Sequence, residues 1–226
     1  MSAYFITATG TDIGKTLVTA GLIRHLMQAG EKVDAFKPVV SGFDIATAAV
    51  SDPGVLLGAL DEAVTPEALD RLSPWRFAAP LSPDMAAARE GKSLDFDAIV
   101  SRCRKRVAQS EGTLFIEGVG GVMVPLDDTR TVLDWMAALD LPLIVVTGSY
   151  LGTISHTLTA MECLSRKGLS VKALVINDSG DGAVPMDETK AALARFLPGV
   201  TMATLPRVKR PMDADANFAA LWRTIG

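Results

Sequence analysis

The chain has 226 residues, of which 49% are hydrophobic and 21% are charged, and its formal net charge is -4 with a pI near 5.2. This composition is typical of a globular protein with one substantial core, and the acidic balance argues against a nucleic-acid-binding surface. No apolar run approaches the roughly 18 residues that a membrane-spanning helix needs, and no basic leader precedes the first strand, so we expect a cytoplasmic protein that does not bind membranes.

Short β-rich runs alternate with amphipathic segments of helical length along the chain. The predicted strands are residues 3–7, 33–40, 113–118, 142–148, 171–177 and 200–206. The predicted helices are residues 16–29, 95–109, 153–167 and 187–196, with short helices and loops inserted over 41–83 and a last helix after the sixth strand. This alternation predicts an α/β fold of three layers with a mainly parallel central sheet, formed as one domain by residues 1–226.

The segment between the first strand and the first helix reads TGTDIGKT, residues 9–16. It fits the phosphate-binding motif G-x-x-x-x-G-K-[ST] except that Thr9 replaces the first glycine. Backbone N–H groups of such a loop surround a triphosphate, while Lys15 reaches the β and γ oxygens and the Thr16 hydroxyl binds Mg²⁺. The order strand, loop, helix therefore predicts a P-loop nucleotide-binding fold.

A second group of polar residues follows other predicted strands. Glu117 ends the strand in LFIEGVGG, where an acid can bind Mg²⁺ near the γ-phosphate, and Gly118 and Gly120 allow close approach of the backbone. A solvated residue at a strand boundary is the alternative for Glu117. Asp52 in SDPG is either a second carboxylate beside the metal or a helix N-cap.

Lys37 interrupts the apolar strand 33–40 just before Pro38. It is either a surface lysine on an edge strand or, if this strand lies beside the first strand in the interior, a lysine that points into the phosphate cleft. Ser41 would line the same cleft. Asn177 closes a later strand and either forms a turn with Asp178 or presents its amide to an adenine edge.

The remaining candidate groups are interpreted as structural. His156 follows TGSYLGT early in a helix and is interpreted as a solvent or interface residue rather than a catalytic base. Cys103 and Cys163 lie far apart in apolar helical segments, so neither a disulfide nor a zinc site is expected.

Taken in order, TGTDIGKT, FKPVVSG, SD, IEGVGGVMVPL, VVTGSYLGTISHTLTA and VIND resemble the dethiobiotin synthetase family over nearly the whole chain. A threonine at the first position of the loop is also what that family shows. The resemblance implies an ATP-dependent cyclo-ligase: 7,8-diaminononanoate takes up CO₂ as a carbamate, ATP phosphorylates the carbamate, and the second amine closes the ureido ring with release of ADP and phosphate.

The resemblance also implies a role for each site residue. Lys37 and Lys15 would stabilise the transferring phosphoryl group and, with Thr11, form the catalytic set, while Thr16, Asp52 and Glu117 would hold Mg²⁺. Substrate contacts would come from Thr11, Lys15, Lys37, Ser41, Gly148 and Ser155. Nucleotide contacts would come from Asp12, Ile13, Gly14, Lys15, Thr16, Leu17, Asp52, Glu117, Gly118, Gly120, Asn177, Asp178, Pro206, Arg207 and Val208.

Family members are homodimers in which the partner's segment after the fifth-strand region, here Gly148–His156, holds the tail carboxylate of the diamine. Three other functions remain open at this point: a partition-type P-loop ATPase switch, an amidotransferase-linked synthetase, and a nucleotide-binding module without enzymatic activity. Partition-type ATPases carry a second lysine four residues before the motif glycine, where this chain has Gly10. The amidotransferase-linked enzymes need an additional glutaminase domain.

Overall fold

A computed structural model describes residues 2–178, 180, 184–208 and 215–225. The strands are β1 (Ser2–Ala8), β2 (Val33–Phe36), β3 (Val39–Ser41), β4 (Trp75–Phe77), β5 (Thr113–Glu117), β6 (Leu143–Gly148), β7 (Val171–Asn177) and β8 (Met202–Leu205). The helices are α1 (Lys15–Gln28), α2 (Asp52–Ala59), α3 (Pro66–Leu72), α4 (Pro83–Arg89), α5 (Phe96–Gln109), α6 (Val132–Leu139), α7 (Thr153–Arg166), α8 (Met186–Phe196) and α9 (Asp215–Ile225), with a 3-10 helix at Ile45–Val50.

The described residues form a six-stranded sheet in the order β2-β5-β1-β6-β7-β8, and its strand pairs are all parallel. Successive side chains of β1 point to opposite faces, so Ile6 belongs to one buried cluster and Phe5 to the other. Helices α1, α2 and α9 cover the first face, and α5 to α8 cover the second. The prediction of a three-layer α/β fold is confirmed, and the carboxyl ends of the parallel strands share one edge, where ligands bind in such sheets.

The predicted strand 33–40 is wrong, because the chain forms two strands there. β2 ends at Phe36, and β3 pairs in parallel with β4 in a separate two-stranded sheet. Pro38 has no N–H group to donate, and the Lys37 N–H bonds the Leu72 carbonyl at 3.1 Å, away from the main sheet. β2 also lies at the sheet edge beside β5, and not beside β1 as the interior placement of Lys37 assumed.

The sequence prediction also missed helix α6. Its start shows a common signal, since the Asp134 carboxylate accepts hydrogen bonds from the Thr131 N–H at 2.9 Å and the Thr131 hydroxyl at 3.0 Å. Val132, Trp135 and Met136 then bury one face of the helix. Over 41–83 the expected short helices are present as α2, α3 and the 3-10 helix.

No helix in the described ranges is both long enough and apolar enough to cross a membrane.

The helix expected after the last strand is confirmed as α9, although residues 209–214 before it lie outside the described residues. The assignment of residues 1–226 to one domain stays a prediction.

The contact between α1 and α9 gives a test of the packing. A Cβ atom added to Gly21 of α1 would lie 2.0 to 2.3 Å from ring atoms of Phe218, which is fully buried. We expect Gly21→Ala to lower the free energy of unfolding by about 1 to 3 kcal/mol, because the clash exceeds the helix-propensity gain of about 1 kcal/mol. Urea denaturation followed by circular dichroism measures the change.

Gly58→Ala is the matched control, because Gly58 lies in α2 and a Cβ atom there would meet nothing within 4 Å. This variant should be as stable as the unmodified protein or up to about 1 kcal/mol more stable. Equal stability of Gly21→Ala and Gly58→Ala would contradict the close packing of α1 against α9.

Candidate active site

The loop between β1 and α1 is held in shape by unusual backbone angles and by one side chain from β7. Asp12 and Gly14 adopt left-handed conformations with φ of 57° and 101°. The Asn177 amide nitrogen donates to the Ile13 carbonyl at 2.9 Å, and a Cβ atom on Gly14 would lie 2.4 Å from that nitrogen. Position 14 therefore requires glycine for both reasons. Asn177 thus supports the loop, and its Oδ1 is buried without a partner among the described residues.

Lys15 extends across the loop with its ammonium group almost buried. Its Nζ donates to the Gly120 carbonyl at 2.8 Å and to the Gly10 carbonyl at 3.3 Å. Burial and then the positive charge of Lys37 lower the pKa of Lys15 to about 8, although the nearby carboxylates act in the opposite direction. The geometry thus places a cation between the two loops where a phosphate can neutralise it.

Glu117 is fully buried at the end of β5 and has a partner on each carboxylate oxygen. Oε1 accepts from the Thr16 hydroxyl and the Lys37 ammonium, each at 2.6 Å, and Oε2 accepts from the Thr19 hydroxyl at 2.6 Å. The solvated interpretation of Glu117 is therefore wrong. Three hydrogen bonds to one carboxylate fix its orientation toward the cleft.

Lys37 lies in the same cluster, so its interpretation as a surface lysine is wrong. Its side chain is 2% exposed and forms ion pairs with Glu117 at 2.6 Å and with the half-exposed Asp52 at 3.0 Å. Burial alone would lower the pKa of Lys37, but the carboxylates of Glu117 and Asp52 raise it by more. Lys37 follows an edge strand, and the segment containing α2 and α3 contacts it there: the Leu72 carbonyl accepts from its N–H at 3.1 Å, and Asp52 pairs with its ammonium group.

Asp52 is the first residue of α2, and the N-cap is Ser51, whose hydroxyl accepts from the Gly54 N–H at 3.4 Å. The N-cap interpretation of Asp52 is therefore wrong. Burial raises the pKa of its carboxyl group, but the nearby Lys37 and hydrogen bonds from Lys37 and Thr16 produce a net lowering. Asp52 is consequently ionised and faces the same cluster.

The oxygen atoms of Thr16, Asp52 and Glu117 meet at this point and form a donor set that suits Mg²⁺. Within the described residues, no three His, Cys, Asp or Glu side chains come together as a metal cluster. Mg²⁺ commonly takes only one or two carboxylates from a protein and completes its shell with phosphate oxygens and water. Two carboxylates and one hydroxyl beside a phosphate loop fit that pattern.

A cleft of about 720 Å³ opens in front of the cluster. The predicted site residues that line it are Thr11, Asp12, Gly14, Lys15, Thr16, Leu17, Lys37, Ser41, Asp52 and Gly120. The sequence analysis did not foresee its apolar wall, which is formed by Val40, Pro80, Leu81, Pro83, Val119 and Val124. Because these residues come from three separate segments, no local sequence pattern predicts that they form one wall.

The other predicted residues do not line this cleft, and they are Ile13, Glu117, Gly118, Gly148, Ser155, Asn177, Asp178 and Pro206–Val208. Asn177 ends β7 and Asp178 follows it, and the Asp178 N–H bonds the Leu205 carbonyl at 3.0 Å next to the segment Pro206–Val208. Gly148 is buried at the end of β6, whereas Ser155 is exposed in the first turn of α7. Neither Gly148 nor Ser155 lines the cleft of the same chain.

The residues interpreted as structural agree with their placement. His156 is exposed, and its Nδ1 lies 2.8 Å from the Tyr150 hydroxyl. Cys103 and Cys163 are free cysteines, and burial raises the pKa of the Cys103 thiol to about 12. The Cys103 thiol is therefore not activated as a nucleophile.

The parallel sheet, the phosphate loop and the acidic residue at the end of β5 define a P-loop nucleotide-binding enzyme. Solved structures share the fold: the cell division ATPase MinD of Pyrococcus furiosus has a TM-score of 0.60 at 16% identity and covers 100% of this chain and 98% of its own. The hydrogenase maturation factor HypB of Archaeoglobus fulgidus has a TM-score of 0.57 at 14% identity and covers 100% and 91%. At these identities the likeness shows the fold alone.

Sequence relatives narrow the class to one family. Residues 2–213 match the family described as AAA domain. The ATP-dependent dethiobiotin synthetase of Caulobacter sp. (strain K31) is 51% identical over 92% of this chain and 89% of its own length. That of Acidiphilium cryptum (strain JF-5) is 49% identical over 87% and 89%. The chain belongs to the ATP-dependent dethiobiotin synthetases, a family of ligases, and the predicted resemblance is confirmed.

Thr19 is a buried contributor to the site that the sequence analysis missed. It lies three residues after Thr16 on the same face of α1, and its hydroxyl bonds Glu117 Oε2 at 2.6 Å and the Lys15 carbonyl at 2.9 Å. We expect Thr19→Val to lower the free energy of unfolding by about 1 to 3 kcal/mol, because a buried carboxylate oxygen loses its donor. Urea denaturation measures the loss.

Thr19→Ser keeps the hydroxyl and should recover most of the stability. Thr189→Val on α8 is the matched control, because the Thr189 hydroxyl is buried and has no partner in the described part of the chain. If Thr19→Val and Thr189→Val lose the same free energy, the bond to Glu117 contributes nothing.

The lowered pKa of Lys15 predicts proton uptake when a nucleoside triphosphate binds. Below about pH 8 the ammonium is already charged, whereas above it the free protein holds a neutral amine that the phosphates re-protonate. If every neutral Lys15 is re-protonated on binding, each bound triphosphate should be accompanied by uptake of about 0.1 proton at pH 7 and about 0.8 proton at pH 8.5. Because binding takes up protons, the affinity for the triphosphate should fall as the pH rises through this range.

Titration calorimetry in two buffers of different ionisation enthalpy measures this uptake directly. A nonhydrolysable triphosphate avoids turnover, and pH 8.5 lies above the titration range of the phosphates themselves. Binding without proton uptake at pH 8.5 would show that Lys15 is fully charged in the free protein.

Proposed function

We propose that the protein is an ATP-dependent dethiobiotin synthetase that converts 7,8-diaminononanoate, CO₂ and ATP into dethiobiotin, ADP and phosphate, in the cytoplasm. The observation that supports this best is the position of the buried Lys37 and Glu117, which meet the half-exposed Asp52 and the phosphate loop beside one cleft. A binding module needs the loop and Lys15. A second buried lysine with two carboxylates beside the γ-phosphate position is what phosphoryl transfer needs.

In the proposed reaction, one amine of the diamine attacks CO₂ and loses a proton to form a carbamate. A carbamate oxygen then attacks the γ-phosphorus of ATP, ADP leaves, and a carbamic-phosphoric anhydride forms. The second amine attacks the carbonyl carbon of the anhydride, phosphate leaves with the C–O bond pair, and loss of a proton completes the cyclic urea. Each step forms one bond to carbon or phosphorus, so alignment within a closed cleft supports all three.

The chain offers charge and hydrogen bonds for these steps. Lys15 and Lys37 stabilise the carbamate and the transferring phosphoryl group, and a neutral Lys15 regains its proton when phosphate binds. Ser41 and Thr11 position the diamine and its carbamate from opposite sides of the cleft. The Ser41 hydroxyl oxygen is buried and has no partner within the described residues, so it is available to a substrate group.

Thr16, Asp52 and Glu117 would hold Mg²⁺, which neutralises charge on the triphosphate when it is bound. The hydrogen bonds from Thr16 and Lys37 to Glu117 support this assignment, because they bring the carboxylate next to the Thr16 hydroxyl. Thr19 holds the second oxygen of Glu117 away from the cleft. These residues orient the acid, which also forms an ion pair with Lys37 at 2.6 Å.

Nucleotide binding would use the loop amides from Asp12 to Leu17, with Gly118 and Gly120 on the opposite side. The adenine would lie near Asn177, Asp178 and Pro206–Val208. The Asn177 Oδ1, which has no partner among the described residues, can accept a hydrogen bond from the adenine amino group. The Asn177 amide nitrogen donates one of its two protons to the Ile13 carbonyl.

The proposed enzyme is a homodimer in which the turn before α7 holds the tail carboxylate of the partner's diamine. The first turn of α7 contains no acidic residue, and its N-terminal N–H groups attract anions. Ser155 is exposed there and adds a hydroxyl, while Gly148 shapes the turn. Leu151 is 86% exposed in this turn, as expected for a residue that a second subunit covers.

A partition-type ATPase switch has support only from the shared fold. Position 10 is glycine where that class carries its second lysine. In α9, Phe218 and Leu221 are buried against the protein, so the apolar face of this helix is not available to a membrane. Both observations favour the synthetase.

The proposed function predicts that ADP forms only when 7,8-diaminononanoate, bicarbonate and Mg²⁺-ATP are all present, and that mass spectrometry detects the ureido product. ATP hydrolysis at the same rate without the diamine, with no ureido product, would reject the proposal. Omitting bicarbonate under CO₂-free conditions is the control for the carboxylation step.

Lys37→Ala should lose turnover by at least about 100-fold while nucleotide binding largely remains, because the carbamate and phosphoryl group lose a charge that the loop does not replace. Turnover and binding of a fluorescent nucleotide are measured on the same sample. Circular dichroism must accompany both, since removing Lys37 leaves Glu117 with only hydroxyl partners. Unchanged turnover in Lys37→Ala would contradict the role given to Lys37.

A further inference from the structure

Four threonine side chains connect the phosphate loop to the start of α7. The Thr147 hydroxyl oxygen lies 3.1 Å from that of Thr9, 3.0 Å from that of Thr153 and 2.7 Å from that of Thr157. Thr147, Thr153 and Thr157 are at most 1% exposed. We call these four residues the threonine cluster.

The proton count fixes the direction of these hydrogen bonds. The Thr153 hydroxyl donates to the Gly148 carbonyl at 2.7 Å, which uses its one proton. Thr147 must therefore donate to Thr153, and its two lone pairs accept from Thr9 and Thr157. One donor and two acceptors is the full capacity of a hydroxyl group, so Thr147 is saturated.

The cluster joins two segments that both face ligands in the proposed function. Thr9 opens the phosphate loop, and its N–H also bonds the Val146 carbonyl at 3.0 Å. Thr153 and Thr157 belong to the first two turns of α7, and Gly148 begins the turn that leads into this helix. The N-cap of α7 is Gly152, which has no capping side chain, so the bond from Thr153 to Gly148 closes that turn.

We propose that Thr147 is a positioning residue that couples nucleotide binding at the phosphate loop to the conformation of the turn Gly148–Gly152 and thereby to binding of the substrate carboxylate. The nature of that carboxylate rests on the proposed function, whereas the coupling between loop and turn does not. When the loop binds phosphates, the position of Thr9 becomes restrained. Because the Thr147 hydroxyl bonds both Thr9 and Thr153, this also restrains the position of Thr153 and of its acceptor, the Gly148 carbonyl.

Hydrogen exchange with mass spectrometry tests the coupling without the diamine. A nonhydrolysable ATP analogue with Mg²⁺ should slow amide exchange of a peptide covering residues 149–156 by about fivefold or more in the unmodified protein. In Thr147→Val the nucleotide effect on this peptide should fall below about twofold, while the loop peptide 9–16 remains protected. Thr147→Ser keeps the hydroxyl and should retain the effect.

Thr7→Val is the matched control, because the Thr7 hydroxyl is buried in the adjacent strand and has no partner in the described residues. This variant should keep the full nucleotide effect on residues 149–156. If Thr147→Val does not fold, Thr9→Val removes only the link to the loop and should produce the same loss. Full nucleotide-dependent protection of 149–156 in the folded valine variant overturns the proposal, as does its absence in the unmodified protein when the loop peptide is protected.

A second measurement extends the test to the substrate. Thr147→Val should raise the KM for 7,8-diaminononanoate by about tenfold with a much smaller change in kcat, because the turn is misplaced but the reacting groups are not. Thr147→Ser should restore KM. A drop in thermal stability with unchanged KM and unchanged exchange coupling would show a purely structural role. Failure of the unmodified protein to use the diamine would reject the proposed function and leave the exchange result to decide the coupling.

Discussion

Glu117 places its carboxylate in the interior at the end of β5, where an unpaired charge would cost several kcal/mol. The structure around it supplies an ammonium group from Lys37 and hydroxyl groups from Thr16 and Thr19. The same requirement extends to Lys37, whose side chain is buried as well. Helix α2 supplies the Asp52 carboxylate as a second ionic partner of this ammonium group, at 3.0 Å.

This arrangement is costly unless it serves a ligand. Burial and then the positive charge of Lys37 lower the pKa of Lys15 to about 8, whereas Glu117 and Asp52 raise the pKa of Lys37 against the effect of burial. Lys15 is therefore the lysine that loses its proton more easily before a substrate binds. A buried ion pair contributes little net stability compared with apolar packing of similar volume. In the proposed reaction its value would lie in preorganisation, because charge that develops on a transferring phosphoryl group would meet cations that are already fixed.

The sequence predicted those parts of the site that lie within one segment. The order of β1, loop and α1 follows from a local motif, which also contains Lys15 and Thr16. Glu117 was identified because it ends a predicted strand. Whether Lys37 lies on the surface or in the cleft could not be predicted, because the sequence does not show whether its strand lies at the edge of the sheet or which segments pack against it. Asp52 was ambiguous because Ser51 and Asp52 are both good helix-start residues, and only the fold shows that Ser51 is the cap.

The hydroxyl groups of Thr19 and Thr147 could not be predicted from the sequence for a different reason. Thr19 and Thr147 are ordinary residues in a helix and a strand, where threonine fits without any function. Their roles arise from partners 98 and 138 positions away in the chain, which only the sheet order brings close. The apolar wall of the cleft likewise combines three segments, and its residues have no pattern in common.

The threonine at the start of the phosphate loop shows how one substitution can join local and tertiary structure. Glycine at position 9 would leave the loop backbone intact, since the Thr9 N–H bond to Val146 needs no side chain. It would, however, remove a donor to Thr147, and the Thr147 oxygen would keep one lone pair unsatisfied in the interior. The side chain of Thr9 therefore serves the contact with Thr147, which connects the phosphate loop to α7, rather than the shape of the loop itself.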